Sequence, residues 1–227
     1  MNRFLKPSLC LLSALLAVLP GCLSSEKKTD SKAAAEISSA PQVPPIMADG
    51  DTLSGFITTT GAWANHKTVV TTAFDKEKLS LRFISFLEKG KKPVFGGKTK
   101  DDMGIFSGEH VEIFLCTEPT TGKYYQLALN PEGVMYSALG MDTSWEPENV
   151  KVKTAIEADR WTLDIAIPFK SLGLASAPEK GAVWKVNFCR SSKTARGSES
   201  SNLAGLSSYH NPAMFSPSNN SSALARS

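Results

Sequence analysis

The sequence predicts an all-β fold, an antiparallel β-sandwich. Segments between Thr68 and Arg190 are rich in β-branched and aromatic residues and alternate with the period of two that half-buried strands require. Gly- and Pro-marked turns separate them, as in "EPTTG" and "NPEG". Only the short stretch "FKSLGL" offers a helical turn. Many short strands, turns at close spacing and almost no helix leave sheet-on-sheet packing as the way to bury apolar faces.

In chain order, "TVVTTAFD" (Thr68–Asp75) and "KLSLRFISFL" (Lys78–Leu87) form a hairpin across a charged turn. "HVEIFLC" follows a long loop. "KYYQLALN" (Lys123–Asn130) and "GVMYSALG" (Gly133–Gly140) form a second hairpin around "NPEG". "VKVKTAIE" alternates through Val150, Val152, Thr154 and Ile156. "RWTLDIAIPF" (Arg160–Phe169) and "AVWKVNFCR" (Ala182–Arg190) complete the set.

Successive side chains of a strand point to opposite faces. The apolar faces are Val111, Ile113 and Leu115; Tyr125, Leu127 and Leu129; Trp161, Leu163, Ile165 and Ile167; and Trp184, Val186 and Phe188. Opposite them sit Glu112, Gln126, Asp164 and Asn187. If these strands share one sheet, the four polar residues form a row on its far face. Such a row offers acceptors and amides suited to sugar hydroxyls, or else forms a satisfied buried network. Arg190 follows Asn187 and would join the row or neutralise Glu112. Glu112 and Asp164 would be a glycosidase pair only if they flanked one cleft.

The ends of the chain are of another kind. Arg3 and Lys6 precede an apolar run from Leu9 to Leu19, too short for a membrane-spanning helix, which needs roughly 20 residues. It ends in Leu19-Pro20-Gly21-Cys22, which resembles the lipobox of bacterial lipoproteins. Residues 1–21 are therefore expected to be a signal peptide, with Cys22 lipidated and an outer membrane or cell surface as the anchor site. Residues 22–45, rich in Ser, Lys, Ala and Pro, read as a flexible tether, residues 46–217 as the domain, and 218–227 as a disordered tail. Net charge is +3 from 25 basic and 22 acidic residues; without Arg3 and Lys6 the balance is nearly neutral, which gives no footprint for nucleic acid. Cys116 and Cys189 remain in the domain, and the favoured reading is two separate buried thiols rather than a disulfide.

The segments "IFSGEHVEIFL", "YYQLALNPEGVMY", "VKVKTAIEADRWTLDIAIPFKSLG" and "WKVNFCRS", in this order, resemble the family 9 carbohydrate-binding modules and their DOMON-like relatives. The resemblance implies a β-sandwich that binds sugar or polysaccharide, often beside a glycoside hydrolase, sometimes with calcium, and without catalytic residues. Four positions depart from the family pattern. Glu109 stands for an Asp, Asp164 for a Glu, Leu203 near a Trp that many members carry before a histidine motif, and Ser216 for the Gly of that motif.

Flat aromatic faces suit sugar rings. Trp145, in "DTSWEPEN", is the first stacking candidate, the alternative being a plug over the sandwich end. Trp63 and Tyr209, beside His210, are further candidates. Trp161 and Trp184 belong to the core. Asp101, Asp102 and Glu109 form an acidic cluster whose oxygens could serve calcium, though a solvated loop is the plainer reading. Two rival readings stay open. One is a haem-binding electron-transfer domain, for which His110, Met103, Met135 and Met141 are available; the other is an envelope scaffold without a ligand.

Overall fold

The structure, a computed structural model, describes residues 50–179, 181–194, 197–203 and, for the backbone, 216–219. The expected signal peptide, Cys22, the tether and Tyr209 lie outside the described residues.

The strands are β1 (Thr52–Leu53), β2 (Ile57–Thr58), β3 (Thr68–Phe74), β4 (Lys78–Phe86), β5 (His110–Cys116), β6 (Tyr125–Leu129), β7 (Met135–Leu139), β8 (Lys151–Ile156), β9 (Arg160–Pro168), β10 (Val183–Thr194), β11 (Gly197–Asn202) and β12 (Ser216–Asn219). Two antiparallel sheets form. One has the order β1-β3-β4-β9-β8; the other runs β2-β11-β10-β5-β6-β7, with β12 paired to the first residues of β10. Every strong strand expected from the alternation is present. The "FKSL" turn is a 3₁₀ helix, Phe169–Leu172, closed by Gly173 in the left-handed region at φ 72°.

The core lies between the sheets and contains the apolar faces that parity assigned. Val111, Ile113, Leu115, Leu127, Leu163, Ile165, Trp161, Val186 and Phe188 are all buried there. Phe83 of β4 meets Phe188 of β10 edge-on at 5.6 Å, which locks one sheet to the other.

The short strands β1 and β2, the later strands β11 and β12, and a second 3₁₀ helix were not expected. β11 is the polar run "GSESSN", which has no apolar alternation; it forms a strand by completing hydrogen bonds along the edge of β10. β12 spans the expected boundary between domain and tail at Pro217. A second 3₁₀ helix, Met103–Ser107, is capped by the Asp102 carboxylate accepting from the Gly104 N–H at 2.8 Å.

Candidate functional site

The outer face of the seven-stranded sheet holds most of the polar row. Register places Glu112 of β5 beside Cys189 of β10, and Asn187 beside Phe114, which pairs in turn with Gln126 of β6. The Gln126 amide Nε2–H donates to Glu112 Oε2 at 2.8 Å. His110 Nε2 lies 3.6 Å from Glu112 Oε1. Its Nδ1 is 2.8 Å from the Gly108 carbonyl, which can only accept, so Nδ1 carries a hydrogen. The contact of Nε2 with Glu112 is therefore an ion pair only when the imidazole carries both protons.

This face is covered. Glu112 is 7 % exposed, Gln126 3 % and Asn187 0 %, and every residue of β5 is buried. Phe106, from the 3₁₀ helix, packs edge-on against His110 and Tyr136 at 5.4 and 5.0 Å. Burial pushes the Tyr124 and Tyr136 hydroxyls up from the ordinary phenol value. It also raises the Cys116 and Cys189 thiols, and the Glu112 carboxylate adds to the effect at Cys189. Both cysteines are free and buried, in a cluster with Phe114 and Tyr124, as the two-thiol reading expected. His110 belongs to the polar group by simple parity, since it lies two residues before Glu112 on β5.

Asp164 is not part of this row. β9 belongs to the five-stranded sheet, so Asp164 projects from the opposite outside of the sandwich, with the core between it and Glu112. It pairs with Arg82 at 3.1 Å, at the surface. The two carboxylates cannot flank one cleft, which removes the glycosidase pair. Parity assigned each residue a face correctly but carried no information about which sheet the strand would join.

Arg190 also leaves the row. It lies three residues after Asn187 and thus points the other way, toward the interior. Its Nε donates to Glu109 Oε1 at 2.8 Å and its guanidinium to the Phe86 carbonyl at 2.7 Å and the Lys67 carbonyl at 3.2 Å. Trp161 Nε1–H donates to the same Glu109 oxygen at 3.0 Å. Burial draws the Arg190 pKa down while Glu109 opposes it. Glu109 is thereby taken from the proposed calcium cluster. Asp101 accepts from the Ser137 amide at 2.8 Å, and Asp102 caps its helix, which holds the Asp102 carboxyl below the usual range. No group of three or more candidate ligands converges among the described residues.

The aromatic candidates also separate. Trp145 packs on Tyr125 at 5.0 Å and against the core, which is the plug arrangement. It also lines a polar hollow of about 300 Å³ with Glu146, Glu148 and Lys170. Trp63 is 55 % exposed. It bridges Ile57 of β2, whose register partner Asn202 pairs with Cys189, so Trp63 stands at the margin of the row that contains Glu112. Leu203 packs in the interior cluster and presents no face to a ligand. The haem ligands do not assemble either. His110 faces outward, Met135 packs against the core, and Met103 and Met141 are exposed.

With two sheets, their strand order and the polar outer row in view, comparison with solved structures is decisive for the fold. A family 9 carbohydrate-binding module from Caldicellulosiruptor kristjanssonii, solved with cellotriose, superposes with a TM-score of 0.54 at 14 % identity, covering 78 % of this chain and 90 % of that one. This is the fold of a family 9 carbohydrate-binding module. The same organism's module with glucose gives a TM-score of 0.56 at 13 % identity, covering 81 % and 94 %. A protein from Bacteroides uniformis, assigned as carbohydrate-binding, gives 0.57 at 15 % identity, covering 75 % and 86 %. No protein-family model and no curated protein sequence matches the chain.

Proposed function

We propose that this protein is a non-catalytic carbohydrate-binding lipoprotein. In this reading Cys22 carries the lipid and residues 22–45 tether the sandwich at an outer membrane or cell surface. The observation that supports it most is a fold shared, over most of the domain, with modules solved with cellotriose and glucose. The outer face of the seven-stranded sheet is the surface assigned to the glycan, with a neutral glucan as the first ligand to test and a glycoside hydrolase system as the setting. Trp63, exposed at the margin of that face, is the stacking residue. Glu112, Gln126 and Asn187 form the floor, closed to solvent here, so that sugar contact begins at the rim and reaches the row only as the cover yields.

Affinity gels cast with neutral glucans and a glycan array test the reading. Retardation is expected, with Trp63→Ala weakening it about tenfold, the order of one aromatic contact. Retardation unchanged in that variant removes Trp63 from the site. A complete lack of glycan binding leaves the envelope scaffold. Palmitate labelling lost in Cys22→Ala tests the anchor; unchanged labelling overturns it.

A further inference from the structure

The outside of the five-stranded sheet has a different character. In one row across the strands, Ala73 pairs with Ser80, Ser80 with Ala166, and Ala166 with Lys151. In the next row, Thr71 pairs with Arg82, Arg82 with Asp164, and Asp164 with Lys153. Three small side chains in register therefore make a depression, and a row of long charged ones makes its wall. The depression, open to solvent, offers about 300 Å³, at the lower end of ligand-binding pockets. Crossing β3, β4, β9 and β8, it spans three strand spacings, about 14 Å.

Its charge is unbalanced. Arg82, Lys151 and Lys153 line it against one carboxylate, Asp164. Arg82 and Asp164 are paired, but their side chains are 52 % and 41 % exposed, so the pair is weak and opens readily. Lys151 and Lys153 have no ion-pair partner among the described residues. They project from the same face of β8 two residues apart, about 7 Å along the strand. No aromatic ring lines the depression, so it has no platform for a neutral sugar. What it offers is a shallow, small-floored channel open to solvent, with two ammonium groups that have no ion-pair partner among the described residues at one end and a guanidinium midway.

We propose that this channel is a second binding site, specific for a glycan bearing repeated carboxylate or sulfate groups. Lys151 and Lys153 hold successive anionic groups, and Arg82 exchanges Asp164 for a third. The surroundings favour a glycan over a membrane, because none of the exposed large apolar side chains, Trp63, Val94, Met103, Met141, Ile156 and Val183, lines the channel. The choice of a glycan as bearer of the charge rests on the carbohydrate-binding reading; the channel itself does not involve the seven-stranded sheet.

The full-length chain in detergent is run through affinity gels cast with polygalacturonate, with dextran sulfate, or with hydroxyethyl cellulose, at low and high salt. Retardation by either polyanion is expected, weakening with salt. It should fall about tenfold in Lys151→Glu/Lys153→Glu, and also in the milder Lys151→Gln/Lys153→Gln. Both variants change exposed side chains, and unaltered near-UV circular dichroism checks their fold. Lys91→Glu/Lys92→Glu, two exposed lysines in the loop between β4 and β5, should leave retardation as it was. The two polyanion gels tell carboxylate from sulfate. No retardation by either polyanion overturns the proposal, as does retardation equal in all variants. Equal capture by phosphatidylserine vesicles, lost in the same variants, overturns the glycan assignment. Retardation in hydroxyethyl cellulose reports on the neutral-glycan site alone, so the two readings fail separately.

Discussion

Arg190–Glu109 and Arg82–Asp164, two of the arginine–carboxylate pairs in this sandwich, differ in almost everything but their chemistry. Arg190 and Glu109 meet at 2.7 Å, each side chain 1 % exposed. Arg82 and Asp164 meet at 3.1 Å at the surface of the five-stranded sheet. The first pair also binds the Phe86 and Lys67 carbonyls of the facing sheet and the Trp161 indole. Each remaining donor has an acceptor, which is what makes a buried charge tolerable. The second pair competes with water for the same interaction. The difference teaches that the environment, and not the pairing, sets what such a contact contributes.

Breaking the buried pair is the largest test. Arg190→Met leaves Glu109 charged in the interior and should cost about 3–5 kcal/mol by urea unfolding. A loss under about 1 kcal/mol would erase the contrast with the surface pair. Glu112→Ala lies between the two cases, since it strands the buried Gln126 amide; about 1–3 kcal/mol is expected by the same measurement. A smaller effect would mean that the outer face of the seven-stranded sheet is wetter than its burial indicates.

Alkaline pH probes that face as a whole. The Cys116, Cys189, Tyr124 and Tyr136 pKa values are raised in the folded state. These groups are neutral when protonated, so the unfolded chain releases their protons first. Their contribution is complete below the unfolded values of 9.0 and 10.0 and is lost as pH rises above them. Unfolding midpoints should be level from neutrality to about pH 9 and then fall. Midpoints level to pH 11 would show that these groups titrate alike in both states. The smallest effect belongs to the surface: Asp164→Ala should cost about 0–1 kcal/mol and nothing measurable in high salt. A larger cost would make the surface pair structural and argue against its opening for a ligand.

The core was legible because period-two alternation is a local property. Trp161, Leu163, Ile165 and Ile167 could be assigned to one face without knowing any neighbour. The polar row was legible only in part. Glu112, Gln126 and Asn187 share a sheet, whereas Asp164 does not, since strand order depends on contacts far apart in sequence. Glu109 looked like a loop acid because its partners, Arg190 and Trp161, arrive from distant strands. Arg190 could have been placed correctly, since an odd separation from Asn187 already sets it on the other face. β11 could not, because a Ser-rich run has no apolar pattern and becomes a strand only where an edge awaits it.

By itself the sequence determined the class of fold, the inward face of each strong strand and the turns between them, because alternation, turn chemistry and side-chain direction act over a few residues. Tertiary structure alone decided which outer face would be dry. The two sheets carry the same alternation. Packing buries Glu112 and Gln126 on one outside and leaves Arg82, Asp164, Lys151 and Lys153 in solvent on the other, because cover comes from elements brought together across the whole chain.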